Sequence, residues 1–208
     1  MATAKARSGR TARRNRPTPR QRLLESATHL FTSEGIRVIG IDRILREADV
    51  AKASLYSLYG SKDALVIAYL EAMDQKWRAS YAEYTATMTT PDEKILAFFD
   101  ISIAEEPGKN FRGSHFQNAA TEYPCPETEA EHGILQAVFA HRAWRLEVLA
   151  ALLTEKNGYP SHGQAKQMLV LLDGGLAGAR LTRNIEPLQY ARDLAISLLA
   201  APPADYSI

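Results

Sequence analysis

The chain has 208 residues, 46% hydrophobic and 24% charged, with a net charge of +1, an ordinary globular balance that provides a real core. A single cysteine excludes an internal disulfide framework and fits a reducing compartment. No apolar run approaches the ~20 residues of a membrane span, so no membrane partner is expected.

The charge is unevenly spread. Eight of the 25 basic side chains (Lys5, Arg7, Arg10, Arg13, Arg14, Arg16, Arg20 and Arg22) lie in the first 22 positions with no acid among them, and the other 17 face 24 acidic ones. A basic arm on an acidic body points to a polyanion held at one end of the molecule; a solubilising tail is the plainer reading. Residues 1–17 have no apolar period and are expected to be disordered when unbound. No hydrophobic stretch follows Arg13-Arg14, so neither a twin-arginine nor a secretory signal is read there. An acid-free basic tail is compatible with an organelle transit peptide, but the expected location is cytoplasmic.

Thr18-Pro19-Arg20-Gln21 then starts a helix, with Thr18 as cap, Pro19 in the first turn and Gln21 closing a capping box. Leu23, Leu24, Ala27, Leu30 and Phe31 follow at helical spacing, and Gly35 sits where a left-handed cap is wanted. Ile41, Ile44, Leu45 and Ala48 define a short helix, broken by Asp49-Val50-Ala51. A third runs from about Lys52 to Tyr59, and Ser61 caps a longer one carrying Leu65, Tyr69, Met73 and Trp77. Two short helices joined by a three-residue turn, after a supporting helix, are the layout of a helix-turn-helix over about 40–59.

Five more helices follow. Thr90-Pro91-Asp92-Glu93 opens one with Ile95, Leu96, Phe98, Phe99 and Ile103. A short one covers about 114–122, stopped by Pro124 and Pro126. The longest, about 128–156, is apolar on two sides and therefore packed on two sides. Ser161 with Gln164 caps the next, to about 183. Leu188, Ala191, Leu194, Ala195, Leu198 and Leu199 stripe the last. No segment alternates as a strand. The fold class is all-α, with nine helices: an arm to residue 17, a DNA-binding domain over 18–62, and a C-terminal ligand-binding and dimerisation domain over 63–208.

Ala27, Phe31, Gly35, Ile44, Ala48, Val50, Ser54-Leu55-Tyr56, Tyr59, Ser61-Lys62 and Leu65 stand in the register of the tetracycline-repressor (TetR) family, which the chain resembles over about 45 residues. Departures fall in the motif itself. Gly40 stands in place of the usual threonine cap, although glycine also caps acceptably. Asp49 replaces the turn glycine, Ala51 the serine cap of the recognition helix, and Leu58-Tyr59 a histidine-phenylalanine pair. Asp49 is expected to supply the lost capping oxygen. The resemblance implies a DNA interface of Gly40, Ile41, Arg43, Lys52, Ala53, Ser54, Tyr56, Ser57 and Lys62, with Tyr56 and Lys62 on phosphates. In physical terms, Leu55, Tyr59 and the small Ala53 can pack inward on Leu24, Phe31 and Leu45. Lys52, Ser54, Tyr56 and Ser57 can then face the major groove, with the arm along the minor groove or backbone.

The last two helices look like the family's dimerisation pair, a four-helix bundle with the symmetry mate. Leu171, Gly174, Gly175, Gly178, Leu194 and Leu198 are its expected interface, because three glycines inside a helix are best explained by close backbone approach; a helix break at Gly174-Gly175 is the alternative. Trp77, Tyr81, Phe99, Phe116, Phe139, Trp144 and Met168, with Asn118, His141 and Asp173 as polar anchors, are expected to line an apolar effector pocket. Each also serves as an ordinary core or surface residue. The five histidines and Cys125 show no metal-ligand spacing, and no cofactor is called for. No GxSxG, P-loop or GxGxxG occurs, so no catalytic role is expected. The partners implied are double-stranded DNA as a palindromic operator, a second copy of the chain, and a small-molecule effector. An architectural DNA-binding protein without a ligand is the alternative, and an enzyme the remote one.

Overall fold

A computed structural model describes residues 16–201, so the expectation for the arm falls, through residue 15, outside the described residues. Among the described residues there are nine α-helices, one 3₁₀ turn and no strand, in line with the all-helical expectation. In order they are α1 (Pro19–Glu34), α2 (Ile41–Ala48), α3 (Lys52–Tyr59), α4 (Lys62–Thr85), α5 (Pro91–Glu105), the 3₁₀ turn Pro107–Lys109, α6 (His115–Glu122), α7 (Glu129–Asn157), α8 (His162–Thr182) and α9 (Glu186–Ala200). None of these helices is long and apolar enough to cross a membrane. The chain divides after Tyr69 into two compact units, and α4 contributes to both.

Most helix starts follow from local hydrogen bonding of orphan N–H groups. Thr18 and Gln21 form a reciprocal box, Gln21 N–H donating to Thr18 Oγ1 at 3.2 Å and Thr18 N–H to Gln21 Oε1 at 2.9 Å. Thr90 and Glu93 repeat the arrangement at α5, at 3.3 and 3.0 Å. Ser61 Oγ accepts from Ala64 N–H at 3.0 Å. Two sites differ from the sequence reading. Ser161 makes no side-chain cap for α8; its hydroxyl donates to Tyr159 O, while Asn157 Nδ2 donates to both Ser161 Oγ and Gln164 Oε1 at 2.9 Å. Gly35 ends α1 at φ 113°, ψ 164°, an extended positive-φ conformation open essentially to glycine, and not the left-handed cap expected.

In the first unit, Leu23, Ala27, Leu30 and Phe31 of α1 close over Ile44 and Leu45 of α2 and Leu55 of α3, all buried. The Tyr69 ring meets Phe31 edge-on, centroids 5.4 Å apart. The second unit has its own core, in which Trp77, Phe98, Leu149, Leu153, Met168, Leu172, Leu188 and Ala195 share one cluster.

The glycines of α8 explain how α8 and α9 come together, and two members of the expected dimer stripe, Gly175 and Gly178, face α9 of the same chain. A Cβ built on Gly175 would lie 3.0 Å from both Ala191 Cβ and Leu188 Cδ2, and one on Gly178 would lie 2.6 Å from Pro187 Cβ. Close approach is therefore the reason for these glycines, but the helix approached is α9 of the same chain. Gly174 faces open space, and α8 continues through it without a break. Leu171 and Leu198 pack partly against the core, leaving Leu194 the exposed apolar member of the expected set. Gly178→Leu should accordingly destabilise the second unit itself, by ~1–3 kcal/mol for overpacking. The check is a thermal melt at several protein concentrations: a drop in Tm that does not depend on concentration supports the intrachain contact, and one that disappears at high concentration contradicts it.

Candidate functional site

The turn between α2 and α3 is built at Asp49, whose backbone is left-handed at φ 50°, ψ 56°. Aspartate tolerates that region better than most residues, which accounts for its use where a glycine would otherwise be needed. Asp49 N–H bonds to Arg46 O at 3.4 Å and Val50 N–H to Leu45 O at 3.1 Å, the double closure of a Schellman end. Two carbonyls of the helix end and turn are met from α1, where Arg22 Nε donates to Ala48 O and its terminal nitrogen to Asp49 O, each at 2.9 Å. The Asp49 carboxylate does not cap α3, contrary to expectation. It pairs with Arg16, whose bond and charge hold the carboxyl below its ordinary range, and Ala51 begins α3 with no side-chain cap.

On α3, Leu55 is wholly buried, Ser54, Leu58 and Tyr59 are half-buried, and Lys52, Ala53, Tyr56 and Ser57 are exposed. Ala53 thus belongs to the outer face, not packed inward. Tyr56 is 47% exposed, a large apolar ring presented to solvent from a recognition-helix position. The C-terminal end of α3 is clasped by Arg20. Its guanidinium donates to Leu58 O at 2.9 Å and lies 4.7 Å from the Tyr59 ring centroid, while Tyr59 Oη donates to Arg20 O at 2.9 Å. Arg16, Arg20 and Arg22, read from sequence as part of a polyanion-binding arm, are therefore occupied within this unit.

Three other candidates are engaged as well. Arg43 makes a fork to Glu34 at 2.6 and 2.5 Å, which raises its pKa. Lys62 Nζ donates to Ile36 O at 2.8 Å, and Lys52 Nζ is 3.6 Å from Asp42 Oδ1. Gly40 begins α2 in extended conformation without a side-chain cap, and Ile41 beside it is half-buried.

In the second unit Trp77, Tyr81, Phe98 and Trp144 form one aromatic cluster, with Trp77–Tyr81 centroids 5.8 Å apart and Trp77–Trp144 5.7 Å apart. Tyr81 Oη donates to Lys94 O at 3.0 Å, and burial raises its pKa. His141, 2% exposed, stacks on Phe116 with centroids 3.6 Å apart. Phe99 and Met168 are core residues. Phe139 is 60% exposed and does not join them, because it lies on the open side of α7. Asn118 and Asp173 are already bonded, Asn118 to Arg112 O at 2.9 Å and to Arg180, Asp173 to Gln117 at 3.1 Å and to Arg142.

Sequence reasoning missed the charged groups around His141. Asp74 Oδ1 accepts from His141 Nδ1 at 2.6 Å and Asp74 Oδ2 from Arg78 Nε at 2.7 Å. Arg145, one turn beyond His141, is also buried. The available signal was spacing: Asp74 and Arg78, like His141 and Arg145, are four apart on a helix and share a face. Burial, then the Arg145 charge, push His141 down to about 3 against the opposing pull of Asp74. Burial, followed by Lys109 and Lys76, does the same to His115.

Residues 23–69 match the family described as bacterial regulatory proteins, tetR family. Over 80 residues the chain is 34% identical to the HTH-type transcriptional regulator LmrA of Bacillus subtilis, a match covering 38% of this chain and 43% of that relative, less than half its length. A solved TetR-family transcriptional regulator from Streptomyces coelicolor is 32% identical with a TM-score of 0.78, over 87% of this chain and 94% of the other. A TetR transcriptional regulator from Legionella pneumophila is 23% identical with a TM-score of 0.75, over 88% and 98% of the two chains, and bears on the fold alone.

The neutral, buried His141 makes stability depend on pH. Its folded pKa lies below the ordinary value of 6.5, so between about 6.5 and 3 the unfolded chain holds a proton that the folded chain lacks, and stability falls as pH falls through that window. Thermal melts from pH 7.5 to 5 should show a decreasing Tm, with a shallower decrease for His141→Gln. Equal slopes for the two proteins would contradict the assignment.

Proposed function

The chain belongs to the TetR family of bacterial transcriptional regulators and carries its DNA-binding helix-turn-helix, and from that premise we propose that it is a repressor that binds a palindromic operator as a homodimer and is released by a small apolar or aromatic effector. It acts by binding, without catalysis, on DNA in the cytoplasm. The observation that carries the reading is α3: one face buries Leu55, and the other presents Lys52, Ala53, Tyr56 and Ser57 to solvent. Such a helix suits the major groove, where base edges carry a readable pattern. The hydroxyl of Tyr56 suits a phosphate, and Lys52 and Ser57 suit base edges. Lys62 has a local carbonyl as partner, which favours a structural part for it over the phosphate contact that the family register implies.

The homodimer is supported by the outer face of α8 and α9. Val170, Leu181, Tyr190 and Leu194 are exposed, Leu181 at 83%, an apolar stripe with the character of an interface. Two such chains would hold their α3 helices for successive major grooves, roughly 34–36 Å apart. Effector sensing is supported by the aromatic cluster around Trp77 and Trp144, and α4, which carries Trp77, also belongs to the DNA-reading unit.

Binding to variants of the preferred duplex separates positioning from reading. Lys52→Ala or Ser57→Ala should change preference at particular base pairs by ~1–3 kcal/mol, whereas Tyr56→Phe should weaken all duplexes about equally. Unchanged base preference in both Lys52→Ala and Ser57→Ala would move the reading surface off α3 and favour an architectural role.

A further inference from the structure

Arg145 is 5% exposed and donates no hydrogen bond to any described residue; its Nε–H is buried without an acceptor. Its one close partner is the Trp77 ring, 4.4 Å from the guanidinium carbon. A cation–π contact offsets part of the charge but does not satisfy the buried Nε–H. A buried guanidinium so placed is among the costliest arrangements a folded chain holds.

Asp173, Glu105 and Asp74 attract the charge, but their hydrogen bonds go to other groups. Asp74 is bonded to Arg78 and His141, Asp173 to Arg142 and Gln117, and Glu105 to Lys109. A second unmet group lies one turn away on the same helix. His141 donates its Nδ1–H to the acceptor-only Asp74, which leaves Nε2 a bare lone pair, buried and without a partner. Donor fork and acceptor stand together among Trp77, Phe116 and Trp144.

Resting on the reading that this unit senses a small molecule, we infer that Arg145 anchors the effector and that the effector class is aromatic carboxylic acids. The planar carboxylate matches the guanidinium fork, two parallel N–H···O bonds in place of none. An ortho hydroxyl on the ring would donate to His141 Nε2, and the ring itself would join the aromatic cluster. One negative charge balances the one buried guanidinium; a dianion such as a phosphate monoester would bring a second charge into the core without a partner.

The test is calorimetric titration of the full chain, without DNA, with salicylate, 3-hydroxy-2-naphthoate and the corresponding neutral amides. Each acid should bind at least about 10-fold more tightly than its amide. Arg145→Gln should cost the acids about 10- to 100-fold and leave the amides nearly unaffected, with Arg145→Lys recovering part of the loss. Equal affinity for acid and amide, or no binding of either acid at about 1 mM, overturns the proposal. So does an acid affinity unchanged in a folded Arg145→Gln. Should that variant not fold, the comparison of acid with amide on the unaltered protein decides alone. Operator release, measured separately, distinguishes the two readings. An acid that binds through Arg145 but leaves DNA binding intact removes the sensor role and keeps the site. Release by an amide without dependence on Arg145 keeps the sensor and removes the anion anchor.

Discussion

The DNA-reading surface depends on where α3 begins, and that is fixed by one guanidinium. Arg22 donates to the carbonyls of Ala48 and Asp49, 26 and 27 residues away in sequence. Both are acceptors at a helix end followed by a tight turn, where the backbone alone supplies no donor. With them satisfied, Asp49 can hold a left-handed backbone, the chain reverses within three residues, and Leu55 enters the core beneath α1. The outer face of α3 is then a consequence: with Leu55 inward, helical periodicity leaves Lys52, Tyr56 and Ser57 outward. Arg20 performs the matching function at the other end of α3 through Leu58 O and Tyr59.

The second unit obeys a different constraint, closeness between α8 and α9. Gly175 and Gly178 remove the side chains that would hold Leu188, Ala191 and Pro187 away. The two helices thereby pack as one layer whose opposite side, with Val170, Leu181, Tyr190 and Leu194, remains apolar and exposed. Against this layer sits a core that is well packed in aromatics but leaves Arg145 Nε and His141 Nε2 without hydrogen-bond partners. A core evolved for stability alone has little reason to keep a cation there.

Helix number and most boundaries were legible in the sequence because they are local matters: caps at Thr18, Ser61 and Thr90, and apolar residues at helical spacing. So was the helix-turn-helix, where the family register and the burial pattern agree on Leu55 and Tyr56. What escaped was non-local. Periodicity says that a glycine face will be approached, not by which helix, and at Gly178 the neighbour is Pro187 of the same chain. Phe139 has the spacing of a pocket residue but lies on the open side of α7. Arg16, Arg20 and Arg22 read as a run of free charge, since nothing in the sequence shows that their acceptors are Asp49, Leu58 O and Ala48 O. Arginine on a long helix is ordinarily solvated, and only packing reveals that Arg145 is not.

If the chain is an operator-binding dimer, α3 reads sequence with two copies acting together. The most direct measurement is repeated selection of the full chain on a pool of random duplexes at physiological salt. One two-fold symmetric motif should be enriched, with half-sites about one helical turn apart, or a multiple of it. Recovery of a duplex pool with no enriched motif, bound through its phosphates alone, would contradict it.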